Sequence, residues 1–243
     1  QWYNIQSLYI RGDAASEFGS YQSAIVCQNL RNLAYLGIHQ DSGVALSQYW
    51  NRIYLPYLRT LDLSRDDSSA FTLSLSQQLY DWNMYPMLTN ISIPIEYISV
   101  QALRSIPTTL RYIDITGVEA ISQLHQDAIE ISLSRQFSDL HTLMLPGVTK
   151  RSFLKIANID TLIQLEVIMA EETHQFPVGH LQNLEVLSLT TDYGFADNSL
   201  PQSFIYLPNL RTLEIISPSY VRYPEKFHYM PNLNTLIISL IDS

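Results

Sequence analysis

The stretch "LPNLRTLEIIS", residues 207–217, places apolar side chains at Leu210, Leu213 and Ile215 with polar residues between them. Because side chains alternate along a strand, Leu213 and Ile215 point to the same side. The stretch therefore predicts a short strand with one apolar face and a leucine packed at its entrance. Nearly the same phrase occurs twice more, as "LQNLEVLSLTT" (181–191) and "MPNLNTLIISL" (230–240).

The spacing apolar-x-x-apolar-x-apolar recurs in ten hexamers whose starts are 22 to 30 residues apart. Single hexamers of this kind are common by chance, but ten in series at similar steps are not. One such unit cannot cover its own apolar face, so neighbouring units are expected to stack into a parallel sheet with a continuous core. The hexamers begin at Ile5, Leu33, Leu58, Leu88, Leu110, Leu140, Leu162, Leu184, Leu210 and Leu233.

This stacking predicts that the fourth and sixth residues of each hexamer are buried, as in the pairs Leu61/Leu63, Leu187/Leu189 and Leu213/Ile215. The first leucine should pack at the entrance of each strand. The 22-residue steps leave room only for a short helix or a 3₁₀ turn between strands. Helix-compatible apolar spacing occurs in four connections, at 44–55, 97–106, 118–137 and 150–159.

The series resembles the leucine-rich repeat family, whose period is 20–29 residues and whose consensus begins L-x-x-L-x-L. The resemblance covers the whole chain. It implies an α/β solenoid with a curved parallel sheet on the concave side and helices and irregular turns on the convex side. The uneven period and weak consensus look most like the repeats of F-box/LRR substrate receptors, and somewhat like those of plant intracellular immune receptors.

The chain departs from the family pattern at the ninth consensus position, which is usually Asn or Cys. Asp13, Asp41 and Asp66 stand there in the early repeats, and Val148 and Ala170 in later ones. A carboxylate accepts hydrogen bonds from loop amides but cannot donate to a neighbouring carbonyl. We therefore expect no regular asparagine ladder at this position, and irregular loops between about 118 and 170.

The pattern predicts a single domain over residues 1–243, built of about ten repeats and taken from a longer protein. Solenoids need terminal repeats with a polar outer face. The sequence instead opens on Trp2 and Tyr3 and closes on "LIISLIDS". We expect that the native protein continues beyond at least one end, or that another chain covers it.

Amino-acid composition and net charge limit the kinds of protein, partner and cellular compartment that fit this chain. With 47% hydrophobic and 15% charged residues, the 243-residue chain can bury a sizeable core. A net charge of −9 with three lysines argues against nucleic acid as a partner. The sequence has no apolar run of membrane-spanning length and no signal peptide. It contains a single cysteine, which predicts an intracellular protein, cytoplasmic or nuclear, with no membrane partner.

Motifs that carry chemistry are missing from the sequence: there is no GxGxxG, phosphate loop, HExxH, CxxC or GxSxG. We therefore predict that the chain is not an enzyme and has no catalytic residues, no cofactor and no metal. Weaker signals have simpler explanations as loop, turn, strand, core or solvated helix face. They are the His174/His180 pair, the RGD tripeptide at 11–13, the NIS sequon at 90–92, Cys27, and the cluster of Lys150, Arg151 and Lys155.

The remaining candidate is the surface formed by the third, fifth and seventh residues of each hexamer, which point to the concave side. Among the fifth residues are four carboxylates and no lysine, with tyrosines toward the N-terminal end and apolar residues toward the other. An acidic and aromatic face of this kind fits a protein partner with a basic or mixed surface. The candidate protein-binding residues are Tyr9, Tyr35, Asp62, Tyr112, Asp114, Met144, Glu166, Ile168, Val186, Glu214 and Ile216.

We therefore expect a protein-recognition domain that binds its partner on the concave surface. The resemblance ranks substrate recruitment for a ubiquitin ligase first. The alternatives are the sensing domain of an intracellular immune receptor, and direct regulation or inhibition of an enzyme, as GTPase-activating and ribonuclease-inhibiting repeat proteins do.

Overall fold

The computed structural model describes residues 4–11, 29–39, 53–63, 81–95, 98–115, 121–170, 178–191, 193, 201–218 and 230–240. The chain divides into two compact units, residues 1–119 and 120–243. Both are α/β, with short parallel strands and few helices. That residues 1–243 act as one domain stays a prediction.

Five strands lie in the described part of the N-terminal unit and pair in chain order, each parallel to the next. A five-residue helix α1 (Val100–Arg104) and a 3₁₀ turn (Trp82–Met84) lie in the connections. The Trp82 indole N–H donates to the Ala102 carbonyl at 2.8 Å, which satisfies a buried donor and joins the turn to the helix. The strands are β1 (Ser7–Arg11), β2 (Tyr35–His39), β3 (Thr60–Asp62), β4 (Asn90–Ser92) and β5 (Tyr112–Asp114).

Among the residues described in the C-terminal unit there are also five strands, again parallel and paired in chain order. Its helices are α2 (Gln123–Leu133) and α3 (Lys150–Ile156), with 3₁₀ turns at Val178–His180 and Gln202–Tyr206. The strands are β6 (Thr142–Val148), β7 (Gln164–Met169), β8 (Val186–Thr191), β9 (Thr212–Ser217) and β10 (Thr235–Leu240).

The same backbone hydrogen bonds recur in both units. Before a strand, the amide of the first leucine bonds back three residues, as from Leu58 N–H to Leu55 O at 3.2 Å. The carbonyl at the second hexamer position then accepts two amides of the next repeat. Ile163 O, for example, accepts from Glu185 at 2.8 Å and Val186 at 3.1 Å. A fixed entry turn followed by a shared carbonyl holds the strands in register although the connections differ in length.

The predicted core pattern is confirmed in the interior strands. The pairs Leu61/Leu63, Leu187/Leu189 and Leu213/Ile215 are buried, and so are the first leucines from Leu33 to Leu210. The pattern changes at the last strand. In β10 the fourth-position residue Leu236 is 41% exposed and the sixth-position residue Ile238 is half-buried, because no described strand covers the side of β10 away from β9.

Helices form in three of the four predicted connections. The prediction over 97–106 corresponds to α1, the one over 118–137 to α2 and the one over 150–159 to α3. Side chains just before two of them explain where they start: Ser99 Oγ accepts from Ala102 N–H at 3.1 Å, and Thr149 Oγ1 accepts from Ser152 N–H at 3.2 Å. The fourth prediction was wrong at Ile53–Leu55, which is not helical; its residues 44–52 lie outside the described part.

A ladder of asparagine side chains explains the repeated phrase around "NL". Each side-chain amide donates to a backbone carbonyl of the preceding repeat. The three bonds run from Asn183 to Asp160 O at 2.8 Å, from Asn209 to Gln182 O at 2.7 Å and from Asn232 to Pro208 O at 2.7 Å. The ladder lies one residue before the first leucine of the hexamer and not at the ninth consensus position. Because each asparagine bonds to the preceding repeat, its recurrence has a structural reason.

Strand β6 is interrupted by a bulge, whereas the irregularity predicted between about 118 and 170 concerned the loops. The pairing register between β6 and β7 shifts between Leu145 and Val148. Gly147, inside the shift, has a φ of 60°, a left-handed conformation that disfavours other residues. A Cβ there would also lie 2.6 Å from Ile121 Cδ1. Both the backbone conformation and the close approach of Ile121 therefore favour glycine at position 147.

Candidate functional site

In both units, the third and fifth hexamer positions lie on the sheet face opposite the core, called here the open face. The strand registers place Tyr9, Gly37, Asp62, Ser92 and Asp114 in one row across the N-terminal unit. Its flanking row contains the predicted residues Tyr35 and Tyr112. The sheet thus brings together all five N-terminal candidates.

The other six candidates lie on the open face of the C-terminal unit. Met144, Glu166 and Glu214 share the fifth-position row with Ser188. Val186 lies in the third-position row, and Ile168 and Ile216 in the seventh, with Thr190 between them. Whether any of the eleven candidates binds a protein stays a prediction.

A hydrogen-bond network joins the first three strands of the N-terminal unit. Asp62 Oδ2 accepts from the Tyr35 hydroxyl at 3.1 Å and lies 3.2 Å from His39 Nε2. The other ring nitrogen, Nδ1, lies 2.8 Å from the Tyr9 hydroxyl. One tautomer satisfies both histidine contacts: Nε2–H donates to Asp62 while Nδ1 accepts from Tyr9. The network holds the Asp62 carboxylate in place from two sides.

Glycine at position 37 makes this network possible. A Cβ on Gly37 would lie 2.6 Å from Tyr9 Cδ2 and 2.8 Å from the Tyr35 hydroxyl. The Tyr9 ring therefore crosses directly over the β2 backbone to reach His39, with ring centroids 4.7 Å apart. Any larger residue at position 37 would displace one of the two tyrosines.

The network changes the acidity of Tyr35. Burial, the negative charge of Asp62, the hydrogen bond to Asp62 and the neighbouring Tyr9 together raise the pKa of Tyr35 to about 12. Each of these factors opposes a second negative charge beside the carboxylate. Tyr35 therefore remains a hydrogen-bond donor to Asp62 throughout the physiological pH range.

The fifth-position row of the N-terminal unit contains a carboxylate, a serine and a second carboxylate on consecutive strands: Asp62, Ser92 and Asp114. We call this the N-terminal acidic row. The Ser92 hydroxyl donates to Asp114 Oδ2 at 2.7 Å. The other oxygen, Asp114 Oδ1, is buried and accepts no hydrogen bond. The charge on Asp114 is therefore only partly compensated by its surroundings.

Burial raises the pKa of Asp114; the Ser92 hydrogen bond opposes that shift and the charge of Asp62 adds to it. Beside this carboxylate lies a cavity of about 430 Å³. Its wall includes both acids of the row and no basic residue among those described. It is lined by Thr60, Asp62, Asn90, Ile91, Ser92, Tyr112 and Asp114.

The C-terminal unit repeats the arrangement. Glu166, Ser188 and Glu214 lie on consecutive strands and form the C-terminal acidic row. Again the serine donates to the later carboxylate, from Ser188 Oγ to Glu214 Oε2 at 2.8 Å. Ile168, which is 37% exposed, adds an apolar side chain to the same face.

On the helical side of the C-terminal unit, α2 and α3 border a cavity of about 700 Å³. The exposed residues Ile131 and Leu154 lie beside Arg151 and Lys155. The basic cluster predicted as a solvated helix face is exposed in the structure, at Lys150, Arg151 and Lys155.

Sequence reasoning placed the rows but did not single out His39, Gly37 or the two serines. Ser92 and Ser188 had a signal, since each lies at the fifth position between two acidic ones. His39 and Gly37 had none, because their roles depend on the reach of the Tyr9 side chain from a strand 30 residues away.

Several predicted features lie outside the described residues: Cys27, His174 and residues 12–13 of the RGD tripeptide. The NIS tripeptide forms strand β4, as predicted. Within the described part, no three His, Cys, Asp or Glu side chains are grouped as metal ligands would be. None of the helices described in the structure has the length and apolar character needed to traverse a bilayer.

Comparison with protein-family models and with curated proteins finds no match for this chain.

Proposed function

We propose that this chain is a protein-recognition domain of the leucine-rich repeat type, without catalytic activity, that binds its partner on the open face of the sheet. In a solenoid this face would be the concave one. The observation that carries the proposal is the row of carboxylate, serine and carboxylate that occurs in both units. These positions lie on the face opposite the core, yet the order acid, serine, acid recurs there.

The physical cost of the N-terminal acidic row supports a binding role. Asp114 has one oxygen without a hydrogen bond and a raised pKa, so its carboxylate opposes folding at neutral pH. An opposite charge brought close to such a carboxylate offsets part of this cost. Residues that serve only the fold are not expected to carry such a cost.

The chemistry of the face indicates a partner with basic or mixed charge. Within each unit the two carboxylates of a row are separated by one strand, which sets them roughly 10 Å apart given the spacing between neighbouring strands. That distance suits an extended segment lying across the strands with Lys or Arg at intervals. Tyr35 and Tyr112 flank the row and supply the large anchors that commonly dominate interface energy.

The test uses an array of synthetic peptides of basic, neutral and acidic composition, probed with the purified chain. We expect the bound peptides to be rich in Lys and Arg. The double variant Asp114→Lys/Glu166→Lys should associate with them more slowly, most of all at low salt.

The matched control is Asp127→Lys/Asp160→Lys, which makes the same change in net charge at exposed positions away from the open face. Equal loss of binding in both double variants would mean that the open face has no special part in binding. Normal binding by the open-face variant, together with loss of binding after substitutions in α2 or α3, would refute the open face as the site.

A narrower proposal, supported by the family resemblance alone, is that the bound partner is a substrate of a ubiquitin ligase. Cells carrying Asp62→Lys/Asp114→Lys in the full-length protein should then accumulate the partner, because its receptor no longer holds it. Unchanged turnover of a partner whose binding is lost would contradict the ligase role and leave recognition standing.

A further inference from the structure

We infer that the cavity beside Asp62 and Asp114 in the N-terminal unit is a subsite for one arginine side chain of the partner. The inference rests on the proposed protein-recognition function and assigns the chemistry of one contact in it. The remainder of the open face would then supply affinity, while this cavity would select the residue.

The shape of the site is set by three adjacent strands. Asp62 on β3 and Asp114 on β5 lie on either side of Ser92 on β4, so the acids face each other across one strand. Asn90 and Tyr112 form part of the wall in the flanking third-position row. The volume of about 430 Å³ accommodates a guanidinium group together with water.

The charge of the site calls for a cation. The lining contains two carboxylates and no basic side chain among the described residues. Asp114 Oδ1 is buried without a hydrogen-bond partner, and Oδ2 accepts one hydrogen bond, from Ser92, so a cation in the cavity would act on this carboxylate at short range rather than by contact with Oδ1. A cation held in the adjacent cavity interacts with both acids across a medium of lower polarity than water.

Arginine fits this lining better than lysine for three reasons. Its planar fork presents donors on several edges and so reaches acceptors on separate strands, whereas an ammonium acts as a single point charge. Its flat face stacks on an aromatic ring, and Tyr112 provides one in the wall. It also loses less hydration on entering a confined site.

Asp62 is prepared for this contact before any ligand arrives. Tyr35 and His39 both hold its Oδ2 atom, at 3.1 and 3.2 Å. A carboxylate that is already oriented loses little freedom on binding, which favours affinity. His39 and Tyr35 are thus positioning residues, and the two aspartates are the contacts.

The direct test titrates N-acetyl-arginine amide into the isotope-labelled 243-residue chain and follows its backbone amide signals by NMR. We expect saturable shifts at Asp62, Ser92 and Asp114. The lysine analogue should bind more weakly. The citrulline analogue, which keeps the shape but lacks the charge, should leave the signals in place. Asp114→Asn should weaken arginine binding by about tenfold or more, as loss of a charged hydrogen-bonding partner predicts.

The control variant is Asp160→Asn, an exposed acid in the turn after α3, which should bind like the wild type. Equal shifts with arginine and citrulline, or full binding by Asp114→Asn, would overturn the arginine subsite. The same holds if the amide causes no shift at saturating concentration.

The peptide array separates failure of the subsite from failure of the proposed function. Peptides that bind the open face equally well when each Arg is replaced by citrulline would refute the subsite and leave recognition intact. If the arginine amide binds but no peptide or protein binds at the open face, the proposed recognition function is refuted and the arginine subsite stands.

Discussion

At the scale of single residues, the open face of the N-terminal unit contains groups that oppose folding. One carboxylate oxygen of Asp114 has no hydrogen bond. Gly37 has no side chain, which leaves space for the Tyr9 ring to cross the β2 backbone. Core residues such as Leu61, in contrast, are buried and stabilise the fold by packing. A side chain that lowers the stability of the fold is expected to have a role other than folding.

Changing Asp114 to Asn tests this cost. The folded-state pKa of Asp114 is raised above its ordinary value of 3.8, so the folded chain holds this proton more tightly than the unfolded chain. Stability contributed by the protonated group is present below the unfolded pKa and lost as pH rises through the folded pKa. Relative to wild type, the melting temperature of Asp114→Asn should therefore be higher at about pH 7 than at about pH 3.

The comparison uses thermal melts of both proteins at the two pH values, with Asp160→Asn as control. A variant that loses more stability near neutral pH than in acid would mean that the carboxylate supports the fold, contrary to its place in a binding site.

Tyr35 provides an independent check on the network around Asp62. Its pKa is raised to about 12, chiefly by burial and then by Asp62, so its stabilising contribution is present below the ordinary value of about 10 and declines as pH rises to about 12. The difference between the tyrosinate absorbance titrations of wild type and Tyr35→Phe should have its midpoint near 12.

In an Asp62→Asn background that midpoint should move down toward the ordinary value, because the charge is removed while the ring stays in place. An unchanged midpoint would show that Asp62 has no part in the shift.

At the scale of strands and helices, most of the fold was predictable from the sequence because backbone geometry repeats. Alternation along a strand determines that Leu187 and Leu189 are buried together, whatever their neighbours are. The helix predicted over 118–137 was less well bounded, since α2 covers only Gln123–Leu133.

The site was less predictable because its contacts join distant strands. The bond between His39 and Asp62 spans 23 residues, and the bond between Tyr9 and His39 depends on the tyrosine ring crossing Gly37 on the neighbouring strand. The asparagine ladder uses the Asn of the phrase "NL", whereas the family pattern places such side chains at the ninth consensus position. Spacing alone predicts which face a residue occupies and not which atoms meet there.

The last two strands offer a matched test of the stacking. Leu213 on β9 and Leu236 on β10 are register partners, yet the first is fully buried and the second is 41% exposed. Leu213→Ala should lower the free energy of unfolding by about 2–5 kcal/mol, from lost burial and a cavity. Leu236→Ala should lower it by less than about 1 kcal/mol.

Urea denaturation of the two variants measures both values. Equal losses would mean that β10 is covered on its outer side in solution, and that its apolar face takes part in a core beyond the described residues.

At the scale of the molecule, two influences act between copies of the chain in opposite directions. The net charge of −9 keeps copies apart. Strand β10 should favour association between copies. Its sequence "TLIISL" carries no charge, and no described strand pairs with its outer side. Its residues Ile237 and Leu240 are 41% and 57% exposed. An exposed apolar edge of this kind is a template for pairing with another strand.

The balance between the two influences should depend on salt. Because salt screens the repulsion between like-charged molecules but leaves apolar contact intact, self-association of the 243-residue chain should increase from low to high ionic strength. Ile237→Lys should suppress it by placing a charge on the edge strand. Ile168→Lys, the same change on the same face of an interior strand, should leave it nearly unaltered. Sedimentation velocity over a range of salt and protein concentrations measures all three proteins. Equal suppression by both lysines would place the contact on the open face instead of the edge, and a wild-type chain that stays monomeric at every salt concentration would refute pairing through β10.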